Sequence, residues 1–187
     1  MDNKANKNIA APKNTFKKFD KDKKFKGKKR GHGREQEKEF DQNLIEISRV
    51  TRVTAGGKRM RFRACIVIGD KKGRIGMGVM KGADVSIAVN KAVSKAKKNL
   101  INVKLINGTI PHEIKQKSGG AQILMKPAKE GTGVIAGGVL RSIAELAGIK
   151  NMVGKIQGSK SKINNVKAAL DGLEGLRTDK EFNELRK

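Results

Sequence analysis

Arg59, Arg61 and Arg63 occupy every second position and alternate with Met60, Phe62 and Ala64. Alternation of this kind marks a strand whose successive side chains point to opposite faces. The three guanidiniums then stand in a row on one face, spaced by about 6.8 Å, twice the rise per residue. Such a row suits the repeating phosphates of a nucleic-acid backbone better than it suits a small anion. A solvated strand face is the plainer alternative, but exposed strands usually mix signs, and no Asp or Glu lies between Lys58 and Gly69. Arg49, Arg52, Lys58, Lys71, Lys72, Arg74 and Lys81 extend the basic set around the Gly56-Gly57 turn, and Lys126 and Lys129 continue it farther along.

Other chemistries are poorly provided for. Residues 131–136 (Gly-Thr-Gly-Val-Ile-Ala) fit a loose dinucleotide fingerprint, but no acid follows about 20 positions later and no doubly wound sheet surrounds them. A complete P-loop ending in Gly-Lys-Ser/Thr is absent as well. The loop at 131–138 therefore reads as close backbone packing or as a helix-end contact with an RNA phosphate. An enzyme would need a metal-binding acid and a base nearby, and only Glu130 and Glu145 are close in sequence. His32 and His112 are far apart, which excludes a zinc cluster of the usual spacing. Cys65, alone in the chain, precludes an intrachain disulfide and reads as an ordinary small residue. Neither a cofactor nor a metal is expected.

The 187 residues carry 43 Lys and Arg against 18 Asp and Glu, a net charge of +25. Charge of that size implies a polyanionic partner that offsets self-repulsion. No apolar run approaches the roughly 20 residues that span a bilayer, and no secretion signal opens the sequence. A cytoplasmic protein with no membrane partner is expected. Residues 1–42 hold 14 basic and 7 acidic side chains and read as a disordered basic arm. Phe16, Phe19, Phe25 and Phe40 are spaced among its lysines and could stack on exposed bases, although a solubilising tail is the favoured reading because the segment holds no defined binding motif. Residues 177–187 form a short charged tail.

Between these ends two small α+β domains are expected, at 43–101 and 102–176. Ile45, Ile47, Thr51 and Val53 share one parity in a first strand, which turns at Gly56-Gly57 into the arginine-bearing strand. In a third strand Ile75, Met77 and Val79 face inward, leaving Gly76 and Gly78 to admit a helix or an RNA backbone at close range. After Asp84, a possible N-cap, Val85, Ala88, Val89, Ala92, Val93, Ala96 and Leu100 form the stripe of a helix. This β-β-β-α order resembles a double-stranded-RNA-binding module without its first helix. In the second domain a strand is expected near Val103 and another at 110–114 after the Asn107-Gly108 turn. A third follows at 121–125, then a helix from the glycine loop to Gly148, a strand at 152–157 and a last helix carrying Val166, Ala169, Leu170 and Leu173.

Several stretches together carry a resemblance: Ser48-Arg49-Val50, Gly56-Gly57, Val67-Ile68-Gly69-Asp70, the run 73–78, the long run 127–138, and Ile163-Asn164-Asn165-Val166. From 44 to 176 the chain closely resembles the family of the fifth protein of the bacterial small ribosomal subunit. That resemblance implies a left-handed βαβ crossover in the second domain, an exception to the usual right-handed rule. It also implies binding of small-subunit ribosomal RNA, help in subunit assembly, contact with the fourth and eighth small-subunit proteins, a place near messenger RNA at the entry tunnel, and influence on decoding accuracy. The family's hairpin around Gly56 and Gly57 reaches toward the head-neck region, near where spectinomycin acts. Ala55 stands where a basic residue is common in the family, leaving that contact to Lys58 and Arg59. Gly119, Gly120, Gln122 and Ile123 are implied in the contact with the fourth protein, Gln122 replacing a common arginine. The family's second domain resembles a small-molecule kinase fold, so a nucleotide-phosphate-binding enzyme is one alternative function. A freestanding RNA chaperone is another, distinguished by failure to co-sediment with the small subunit.

Overall fold

The computed structural model describes residues 39–177. β1 (Asp41–Thr54), β2 (Gly57–Gly69), β3 (Arg74–Gly82) and β4 (Leu100–Asn102) form an antiparallel sheet in that order, with α1 (Val85–Lys98) between β3 and β4. The second sheet contains β5 (Ile114–Ser118), β6 (Ala121–Pro127), β7 (Val134–Ile135) and β8 (Met152–Ile156), in the spatial order β5-β6-β8-β7. α2 (Gly138–Ala147) connects β7 to β8, which run parallel, and α3 (Lys162–Glu174) follows β8. The architecture is α+β with two small sheet-and-helix parts, as the sequence indicates. No helix among the described residues is long and apolar enough to cross a membrane.

Several local expectations differ from the structure. The stretch near Val103 begins no strand of the second sheet; instead Leu100–Asn102 pairs with β3 as a fourth strand of the first. Asn107 and Gly108 form a tight turn with φ of 50 and 74, but the strand expected at 110–114 starts only at Ile114. Pro111 explains the delay, because it brings no amide to a ladder. β1 carries a register shift between Leu44 and Glu46. An extra residue there separates Ile45 from the parity of Ile47, and Ile47 and Val53 are exposed because β1 is an edge strand whose outer half extends beyond β3. β1 also begins at Asp41, within the segment read as an arm. The remainder of that arm, with Phe16, Phe19, Phe25 and His32, and the tail beyond Arg177 lie outside the described residues.

The inner half of β2 is buried on both faces, which explains its continuous apolar run. Ala64, Ile66 and Ile68 pack toward α1 with Ala88, Ala92 and Ala96. Cys65 and Val67 enter a larger core with Ile123, Leu140, Ile143 and Val166 from the second part of the chain. Each fully buried aliphatic side chain contributes about 1.5–3 kcal/mol, so the central sheet is held from both sides.

The glycines of β3 admit the helix, not RNA. A Cβ on Gly78 would lie 1.9 Å from the Ala92 carbonyl oxygen, one on Gly76 would lie 2.6 Å from that of Ala96, and one on Gly82 would lie 2.6 Å from the Ala88 amide nitrogen. Small residues thus face small residues at three points of the α1–β3 contact, with Met80 packed between Gly78 and Gly82. Gly78→Ala should force the helix off the sheet and destabilise the fold by about 3 kcal/mol, the upper end of overpacking costs. Gly56→Ala, with nothing within 4 Å, should change stability little; urea unfolding of both variants tests the contrast.

Candidate nucleic-acid interface

β3 pairs with β2 only from Phe62 to Gly69. Residues 51–61 therefore project as a two-stranded ribbon, every one of them exposed. In the β1–β2 register Arg52 stands opposite Arg59, Val50 opposite Arg61 and Ser48 opposite Arg63, while Lys81 of β3 faces Arg63 from the other side. Directly paired residues share a face, so Arg52, Arg59, Arg61, Arg63 and Lys81 gather on one surface. A groove of about 300 Å³ runs across it, lined by Val50, Thr51, Arg52, Thr54, Arg59, Arg61 and Lys81. Arg63 sits deeper than the other two arginines of its row, and its Nε donates to Ser48 Oγ at 3.1 Å. Arg49 pairs with Phe62 and Lys58 with Val53, which puts both on the opposite face. Gly56 and Gly57 have open space around them, and Gly57 adopts φ 140.

The arginine parity continues into the core at Cys65, which is 1% exposed. Burial, reinforced by Glu46 on β1, raises the thiol pKa to about 11, with Arg63 acting in the opposite sense. The thiol stays neutral and unreactive. Glu46 pairs with Cys65 in the register, so the strand neighbour supplies the acid that the arginine strand itself lacks.

Several expected RNA-binding cations have internal partners. In the β2–β3 turn, Lys71 pairs with Asp41 at 2.6 Å, and the hydrogen bond and charge of Asp41 raise its pKa. Arg74 Nε donates to Asp70 Oδ2 at 2.6 Å, and the guanidinium lies 5.3 Å from the centre of the Phe40 ring. Phe40 is thus occupied by cations of its own chain, Lys97 included at 5.9 Å. Lys126 and Lys115 both approach Glu113, at 3.3 and 3.5 Å. Their hydrogen bonds and charges, Lys126 first, hold that carboxyl below its ordinary range against a smaller opposing desolvation. Lys72 and Lys129 are exposed.

At the β5–β6 turn Gly119, Gly120 and Gln122 are exposed, but Ile123 is fully buried in the core. Strand alternation separates Gln122 from Ile123, so Ile123 supports that surface from beneath instead of lining it. In the glycine loop Gly131 and Gly133 adopt φ of 87 and 71 with no atom within 4 Å of an added Cβ. Backbone conformation, not close packing, requires glycine at these two positions. Asn151, which sequence pattern did not single out, is buried and accepts the Gly133 amide on Oδ1 at 3.0 Å. Glu130 and Glu145 are both exposed. Among the described residues no group of three His, Cys, Asp or Glu could hold a metal.

Comparison with known proteins matches residues 40–104 to the N-terminal domain of ribosomal protein S5 and residues 116–186 to its C-terminal domain. Small ribosomal subunit protein uS5 from Synechococcus elongatus is 47% identical over 153 residues, covering 81% of this chain and 85% of the relative. The chain belongs to the ribosomal protein S5 family. It is accordingly a structural, RNA-binding ribosomal protein and not an enzyme.

Asp70 organises the turn between the two cationic strands. Its Oδ1 accepts the amides of Lys72 and Arg74 at 2.8 and 3.0 Å. Burial alone pushes its pKa up, but the Arg74 side-chain bond and the two amides outweigh that and bring it below 3.8. A carboxyl lowered in the folded state contributes stability that is present above its ordinary value and is lost as pH falls through the folded value. Asp70→Asn should therefore cost about 1 kcal/mol at pH 7, since Arg74 is half-exposed and screened. Urea titrations at descending pH should show the gap from the parent closing only below 3.8.

Proposed function

We propose that the chain is a structural constituent of the small ribosomal subunit that grips ribosomal RNA with the ribbon at 51–61. The observation that carries this reading is the groove in which Arg52, Arg59, Arg61 and Lys81 converge with no carboxylate in its lining. Opposed like charges such as Arg52 and Arg59 destabilise a strand pair, and an isolated two-stranded ribbon is marginal in water. Phosphates between the guanidiniums relieve both penalties. Arg59 and Arg61 act as phosphate clamps, and Arg63, held by Ser48, sets the inner end of the row. Arg59→Ala with Arg61→Ala should lower the salt slope of log affinity for small-subunit RNA by about 1.4 to 1.8, at 0.7 to 0.9 per lost contact. An unchanged slope in a folded protein would remove the ribbon from the interface.

The family likeness further supports help in subunit assembly, contacts with the fourth and eighth small-subunit proteins, a place near messenger RNA at the entry tunnel, and cytoplasmic ribosomes as the location. The exposed β5–β6 turn is the surface assigned to the fourth protein, through Gly119, Gly120 and Gln122. Where closure of the subunit during decoding breaks that contact, weakening it makes closure easier, and about 1.4 kcal/mol shifts the balance tenfold. Gly120 has room for a side chain, its nearest atom to an added Cβ being Ser159 Cβ at 3.6 Å. Gly120→Asp and Gln122→Glu should thus raise misreading while assembly stays near normal. An unchanged error frequency, once loss of the protein contact has been demonstrated, would refute this role.

A further inference from the structure

A second basic surface lies around the corner from the arginine ribbon. Lys91, Lys95 and Lys98 recur at intervals of four and three on α1, the spacing that stacks side chains on one helix face. With Lys81, Asn90 and Ser94 they line a groove of about 560 Å³ between α1 and the outer edge of β3. That edge is open because β4 pairs with β3 only at Arg74, Ile75 and Gly76. Lys97 leaves this stripe and turns to Phe40. Among the described residues no carboxylate lines the groove, and none of its four lysines takes part in an ion pair. Three unpaired ammonium groups over about 10 Å of helix axis, with Lys81 of β3 beside them, meet the charge density of a nucleic-acid strand, whose phosphates recur every few ångström.

Lys81 lines both this groove and the groove on the arginine face. It stands at the β3 edge, where the two faces of the sheet meet. We propose that one RNA segment runs continuously from the arginine ribbon, around the β3 edge past Lys81, onto the α1 lysine stripe. The contacts of the α1 stripe are to phosphates, because lysine presents a mobile point charge rather than a planar fork. The inference rests on the RNA-binding reading above and adds a second contact surface and a path to it.

The test uses the full chain and transcribed small-subunit ribosomal RNA. Lys91→Ala, Lys95→Ala and Lys98→Ala together replace exposed helix residues with the best helix former, and circular dichroism should confirm an intact fold. The salt slope should fall by about 2 to 2.7, and the corresponding triple Lys→Arg variant should retain it. Lys117→Ala, Lys155→Ala and Lys167→Ala remove the same charge elsewhere and should lower the slope much less; an equal fall would overturn the proposal as a net-charge effect. A photo-crosslinker on Thr51→Cys and, separately, on Ser94→Cys should reach one helix of the RNA, and attachment to two separate helices would overturn the continuous path. A parent protein whose affinity ignores salt would instead overturn the RNA-interface reading itself. A salt-dependent parent with an unaffected α1 variant would overturn only the second surface.

Discussion

The last carbonyls of α2 have no partners within their own helix, a property of every helix C-terminus, and the β2–β3 turn supplies partners. Lys71 donates its amide to Leu146 and Gly73 donates to Ala147, both at 3.0 Å. Gly148, with φ 84, reverses the chain, and Ile149 returns a bond to Ala144 at 2.9 Å, completing a glycine cap. The approach is so close that a Cβ on Gly148 would lie 2.2 Å from the Lys71 carbonyl, and one on Gly69 would lie at the same distance from that of Leu146. These contacts lock the first sheet to the second. With them fixed, Cys65 and Val67 must enter the core of the second part, and the free end of the β1–β2 hairpin must point away from it.

This junction also sorts the cations. Lys71, Arg74 and Lys97 lie near it and are drawn into pairs with Asp41, Asp70 and Phe40, where they stabilise the turn and the start of β1. Cations farther out, on the ribbon and at Lys91, Lys95 and Lys98 of α1, have no comparable partners among the described residues. Lys71, Arg74 and Lys97 thus serve the fold, whereas the ribbon arginines and Lys91, Lys95 and Lys98 are left for a polyanion. A net charge of +25 weakens the compact state through self-repulsion, and ribosomal RNA offsets what the internal pairs leave over.

Features with a local cause were legible in the sequence. The arginine alternation, the helix stripe opposite Gly76 and Gly78, and the stop at Gly148 each follow from periodicity or backbone freedom within a few residues. Features created by distant pairing were not. The Lys71–Asp41 contact joins the β2–β3 turn to the start of β1, the Glu46–Cys65 pairing depends on a register set by a bulge, and the inward position of Ile123 depends on which face of β6 the core takes. β4 and β7, with three and two residues, are too short to show a period. The α1 lysines were visible as residues, but their meeting with Lys81 across the open β3 edge depends on how the helix lies on the sheet.

Ordering a flexible segment on binding costs conformational entropy, which any gain from phosphate contacts must exceed. β2 limits that cost because it is one continuous strand of 13 residues whose inner half is packed on both faces. The base of the arginine row is fixed at Arg63 by Ser48 and by its pairing with Lys81. Lys81, on the strand that α1 covers, is anchored by the same packing that seats Ala88 and Ala92 against Gly82 and Gly78. The angle between the arginine face and the lysine stripe is consequently set by the small-residue contact between α1 and β3. Any change that thickens that contact alters the path offered to RNA without removing a single charge.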